Sequence, residues 1–112
     1  MSNEQYKSII EALYNCAATC NQCFDECLKD DHASMMVNCI RLERECAEFS
    51  AFFAQALARG TEFASEYAEL CIKICEACGN ECKKHAQHME SCQKCADACF
   101  KCIEECRKLI SK

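Results

Sequence analysis

Apolar and thiol side chains recur in steps of three and four along almost the whole chain, with charged side chains between them. That spacing puts one stripe on one face of an α-helix. It predicts a first helix over 3–29, capped by Ser2 or Asn3, whose stripe reads Tyr6, Ile9, Leu13, Cys16, Cys20, Cys23, Cys27. A break at Asp30-Asp31 follows. A second helix is expected from His32 or Ala33, with Asp31 as cap, to Arg59, and Gly60 stops it in a left-handed conformation. Its stripe reads Met35 or Met36, Cys39, Leu42, Cys46, Phe49, Phe53, Leu57. Thr61 caps a third helix with Phe63 or Ala64, Tyr67 or Ala68, Cys71, Cys75, Cys78, Cys82 and His85 on its stripe. The fourth runs from His88 to Ile110 and carries Cys92, Cys95, Cys99, Cys102, Cys106, then Leu109 or Ile110.

Four amphipathic helices with short links predict an all-α, antiparallel up-down-up-down four-helix bundle with a cysteine-lined core. The arrangement gives the core two unlike ends. Ile9, Leu13, Phe49, Phe53, Leu57, Phe63, Tyr67, Leu109 and Ile110 meet at one end as an apolar plug. Cys27, His32, Met35, Met36, Cys82, His85, His88, Met89 and Cys92 meet at the other, which is expected to be a mouth for metal uptake. Burying each large plug side chain contributes roughly 1.5–3 kcal/mol, so the bundle should fold without metal. Outside the core, Glu69 with Lys73, Asp97 with Lys101 and Glu104 with Lys108 are acid-before-base pairs one turn apart.

Composition narrows the chemistry. The 112 residues suit one domain, 1–112, and include 15 cysteines, no proline and two glycines. A net charge of −5, with no Lys/Arg run to track phosphates, argues against nucleic acid. No apolar stretch nears the roughly 20 residues that span a bilayer, which argues against a membrane protein. The first residues lack the basic and apolar regions of a secretion signal, so a cytoplasmic location is expected. So many cysteines first suggest disulfides. The count is odd, however, and neighbours at i and i+4 on one helix point the same way. Free thiols that hold metal are the better reading.

Thirteen of the fifteen cysteines fall in unbroken three-four runs. As mere core filler, such small side chains would leave costly cavities. Soft thiolates select Cu(I), Zn(II) or iron–sulfur clusters. Cu(I) with one bridging thiolate per ion is neutral, which a dry core tolerates. A four-thiolate zinc site carries two negative charges and favours knuckles in turns rather than helical columns. Iron–sulfur motifs likewise sit in loops. Multiple Cu(I) ions per chain are therefore expected as cargo, on the order of 15 if every thiolate loads. The expected ligands are Cys16, Cys20, Cys23, Cys27, Cys39, Cys46, Cys71, Cys75, Cys78, Cys82, Cys92, Cys95, Cys99, Cys102 and Cys106, with His85, His88, Met35 and Met36 as further candidates at the mouth. No catalytic or cofactor-binding residue is expected, and a Cys82–His85 nucleophile lacks an evident activated pocket.

Four segments carry a family likeness: Cys16-x3-Cys20-Asn-x-Cys23-Phe-x2-Cys27, Cys39-Ile-Arg-Leu-Glu-Arg-Glu-Cys46, Cys75-Glu-Ala-Cys78-Gly-x-Glu-Cys82-x2-His85, and Cys92-x2-Cys95-x3-Cys99-Phe-x-Cys102-x3-Cys106. Across nearly its whole length the chain resembles the bacterial cytosolic copper-storage proteins. The resemblance implies storage and buffering of many Cu(I) ions by thiolates inside the bundle, and a homotetramer. Where relatives carry further cysteines toward the closed end, Ile9, Leu13, Ser50 and Ala68 stand here, which implies fewer ions and a larger plug. Two other readings remain open: a zinc or soft-metal sequestering protein of metallothionein type, and a redox-active thiol protein. A copper chaperone or acceptor partner is left unidentified.

Overall fold

In a computed structural model, residues 6–110 are described, and they form four α-helices: α1 (Lys7–Lys29), α2 (Val37–Ala58), α3 (Ala64–Lys83) and α4 (Glu90–Ile110). The proposed Ser2 and Asn3 caps lie outside these residues. α1 packs on α2 and α4, and α3 packs on the same two, so the helices close into a square. Contacts between helices run in opposite order along each pair. Cys102, Cys95 and Cys92 of α4 face Ala12, Cys20 and Cys23 of α1, while Cys82 and Cys75 of α3 face Cys39 and Cys46 of α2. The bundle is up-down-up-down, as the periodicity predicts. No helix among the described residues is long and apolar enough to cross a membrane.

The links depart from expectation in detail. Asp30, not Asp31, organises the first: its Oδ2 accepts from the His32 N–H at 2.9 Å. A 3₁₀ turn, Ala33–Met36, follows, and α2 becomes regular only at Val37. The stop at Gly60 is as expected. Its φ is 75°, its N–H bonds the Leu57 carbonyl, and the Thr61 N–H reaches the Ala56 carbonyl. This double bond satisfies carbonyls that a helix end otherwise leaves bare. The Thr61 hydroxyl accepts from the Phe63 N–H at 3.1 Å, and α3 starts after that turn, at Ala64. α4 starts at Glu90 rather than His88, because the His85 carbonyl takes the His88 and Met89 N–H groups in a turn.

Ile9, Leu13, Phe53 and Leu57 are buried together with Ala54 and Ala68, and half-buried Phe49, Tyr67, Leu109 and Ile110 pack against them. The plug therefore exists, with one correction. Phe63 is 47% exposed and stands edge-to-face with Tyr67, 6.1 Å between ring centres. It belongs to the turn before α3, where the helical spacing does not yet apply. Surface pairing also differs. Lys101 bonds Glu104 and Glu105 rather than Asp97, and Lys108 bonds Glu105. Asp97 instead accepts from Gln93.

Candidate metal centre

All fifteen cysteines are free and fully buried, inside one continuous column between the plug and the opposite end. Each helix contributes because a thiol at every third or fourth position stays on the inward face. Sulfurs touch along helices and across them: Cys16 lies 3.8 Å from both Cys20 and Cys46, Cys46 lies 3.8 Å from Cys75, and Cys39 lies 3.5 Å from Cys82. Two four-thiol groups, Cys16–Cys20–Cys46–Cys99 and Cys20–Cys78–Cys95–Cys99, share Cys20 and Cys99. Cys16, Cys75 and Cys102 form a three-thiol group nearer the plug. In each group all sulfurs lie within 4.8 Å of one another, so one ion can be reached from two or three helices and one sulfur can serve two ions.

The α2 wall holds a residue that the periodicity missed. The inward column there is Met36, Cys39, Glu43, Cys46, Ser50, Phe53, Leu57, not the register through Leu42 and Phe49, both of which are only half-buried. Glu43 is fully buried. Its Oε2 lies 3.2 Å from the Cys39 Sγ, 3.6 Å from Cys82 and 3.7 Å from Cys27, while its Oε1 has no hydrogen-bond partner. Burial pushes its carboxyl from 4.5 up to about 9, with the Cys23 thiol adding to the shift. Burial and the neighbouring Glu43 also push the Cys27 thiol up. Glu43 and Cys27 thus keep their protons at neutral pH in the metal-free chain. The strict four-three-four step from Cys39 through Glu43, Cys46 and Ser50 was the available signal. Hydrophobicity pointed to Leu42 instead.

At the open end, His32, Met35, Met36, His85 and His88 line one cavity of about 360 Å³. This gathers all three histidines, as the antiparallel arrangement required. Their exposures differ. Met36 is buried, Met35 is 74% exposed, His85 is half-buried and His88 is exposed. His85 Nε2 lies 3.4 Å from Glu81 Oε2, and its ring stands edge-on to His88 with centres 6.0 Å apart. Beneath the cavity Met89 approaches the column, its Sδ 3.6 Å from the Cys27 Sγ.

Gly79 sets the width of the column between α3 and α4. A Cβ there would lie 3.0 Å from the Phe100 ring and 3.2 Å from the Cys99 Cβ. The missing side chain lets the two helices close, which brings Cys78 within 4.0 Å of Cys95.

A helical bundle whose core is a column of free, mutually touching thiols, closed by a plug below and opened by imidazoles and thioethers above, is a container for soft metal ions. The sequence matches the copper storage protein family over residues 2–111, and the chain belongs to that family. It is 45% identical over 94 residues to an uncharacterised cysteine-rich protein, YhjQ, of Bacillus subtilis strain 168, covering 83% of this chain and 85% of that one. The Cu(I)-bound copper storage protein BsCsp3 superposes with a TM-score of 0.86 at 44% identity, covering 91% of this chain and 94% of that one. A cytosolic copper storage protein from Streptomyces lividans, solved with five coppers, gives a TM-score of 0.93 at 32% identity, covering 98% and 95%.

Proposed function

We propose that this protein stores and buffers Cu(I), holding several ions per chain on the thiolates of Cys16, Cys20, Cys23, Cys27, Cys39, Cys46, Cys71, Cys75, Cys78, Cys82, Cys92, Cys95, Cys99, Cys102 and Cys106. The carrying observation is the set of overlapping thiol groups, in which Cys20 and Cys99 each belong to two. Sharing of this kind allows bridging thiolates, and bridging keeps the filled core close to neutral. The role is non-enzymatic, and residues 1–112 act as one storage domain. Uptake runs through the cavity lined by His32, Met35, Met36, His85 and His88, whose imidazole and thioether groups suit copper in transit. Family membership and the cytosolic description of the Streptomyces relative support a cytoplasmic store. The half-exposed aromatic and aliphatic face formed by Phe49, Phe52, Leu70 and Ile74 fits an assembly of several copies, with a homotetramer as the state to test.

The experiment is anaerobic titration of the reduced chain with Cu(I) against a competing chelator. Many ions per chain, rising toward the thiol count, are expected. A plateau at one or two ions would sink the reading.

A further inference from the structure

A carboxylate is the wrong donor for Cu(I), which soft sulfur selects. Glu43 nevertheless sits fully buried in the thiol column, with one oxygen lacking any partner. We propose that, in the copper-free chain, Glu43, Cys23, Cys27 and Cys92 form a site for one divalent ion of the zinc type, three sulfurs and one oxygen in tetrahedral array.

The geometry supports this set. Zinc takes sulfur at about 2.3 Å and carboxylate oxygen at about 2.0–2.2 Å, so the edges of such a tetrahedron measure about 3.8 Å between sulfurs and about 3.6 Å between sulfur and oxygen. Cys23 and Cys27 lie 3.9 Å apart, Cys23 and Cys92 lie 3.6 Å apart, and Cys27 lies 3.7 Å from Glu43 Oε2. All four ligand atoms fall within 4.8 Å of one another. The ligands come from α1, α2 and α4, so the ion would pin three helices at the mouth end. The Oε1 of the same carboxylate has no hydrogen-bond partner, so no full set of protein hydrogen bonds holds Glu43 back from turning to an ion in this place.

Charge argues for this layer over the deeper ones. Three thiolates and a carboxylate leave excess negative charge around a divalent ion, and in mid-core nothing offsets it. Cys92 is the third residue of α4, and the positive end of that helix's dipole stabilises a thiolate in its first turn. Cys27 lies near the opposite end of α1, 3.6 Å from the Met89 Sδ beneath the cavity, so this layer is nearer to solvent than the mid-core is.

This inference shares with the storage reading only the premise that these thiols are metal ligands. Its test is anaerobic titration of the reduced, metal-free chain with Co(II), a spectroscopic stand-in for zinc, followed by displacement with Zn(II). One Co(II) per chain is expected, with the intense visible bands of tetrahedral sulfur coordination, and Zn(II) should abolish them. Glu43→Gln should weaken binding by at least ~10-fold, since loss of a ligand costs no less than loss of an outer-shell partner. Glu43→Asp should shift the bands, and Cys106→Ser, distant from the site, should leave them unchanged. Circular dichroism confirms that each variant remains helical. Absence of tetrahedral bands in the natural chain overturns the inference, as does unchanged affinity in a folded Glu43→Gln. A chain that fills with Cu(I) but gives no such bands overturns this inference and leaves storage standing. A chain that gives the bands yet stops at one or two Cu(I) ions does the reverse.

Discussion

Cys20 of α1 and Cys95 of α4 hold their sulfurs 3.3 Å apart, the shortest thiol–thiol hydrogen bond among the described residues. Cys20 and Cys99 are also the two thiols common to both four-sulfur groups. Sharing makes their removal non-additive, because one lost sulfur breaks the bridge between two ions. Cys20→Ser/Cys99→Ser should therefore lower Cu(I) capacity by more than Cys71→Ser/Cys106→Ser, a pair beside the plug that appears in neither group. Copper counts at saturation, from chelator-competed titration, check this. Equal losses would show that the thiols load independently.

Glu43 should make the metal-free protein less stable as pH rises. Its folded pKa of about 9 stands above the ordinary 4.5. Between those values the native state holds a proton that the unfolded chain has released, so unfolding becomes easier with increasing pH. The contribution is fully present below about pH 4.5 and is lost as pH climbs through about 9. The urea midpoint of the reduced, metal-free chain should fall between pH 5.5 and pH 8, and Glu43→Gln should flatten that slope.

The plug should govern stability of the empty container more than that of the filled one. Phe53 is fully buried, with Phe49 and Tyr67 rings 6.1 and 5.9 Å from its own. Phe53→Ala should cost about 3–5 kcal/mol in the metal-free protein. Copper bound only by the folded bundle adds stability by mass action, so the loaded variant should melt well above the empty one. Thermal unfolding by circular dichroism, with and without Cu(I), separates the two states.

Gly79→Ala should destabilise the bundle despite the better helix propensity of alanine. Removing a mid-helix glycine gains about 1 kcal/mol. Here the new methyl meets the Phe100 ring at 3.0 Å and the Cys99 Cβ at 3.2 Å, and overpacking of that kind costs about 1–3 kcal/mol. The ring is held from outside by the Lys83 ammonium, 5.3 Å from its centre. Displacing Cys99 should also weaken Cu(I) retention. Gly79→Ala/Phe100→Leu should recover part of the stability, measured by denaturant midpoint, because the smaller side chain vacates the space.

The three-four spacing of thiol and apolar side chains determined by itself that four helices form, that they pack as an antiparallel bundle, and that the thiols face inward. It did so because a stripe of buried side chains has only one way to leave water, and because short links force neighbouring helices to run in opposite directions. The same logic placed the histidines at one end and Ile9, Leu13, Phe53 and Leu57 at the other. Tertiary structure decided what periodicity leaves degenerate. A helical turn is 3.6 residues long, so adjacent registers compete, and hydrophobicity chose Leu42 where packing against Cys27 and Cys82 chose Glu43. It likewise chose Met36 over Met35 for burial, and turned Phe63 outward because that residue lies in a turn rather than on a helix. The carboxylate inside the thiol column is a product of register, and register is settled only when all four helices are in contact.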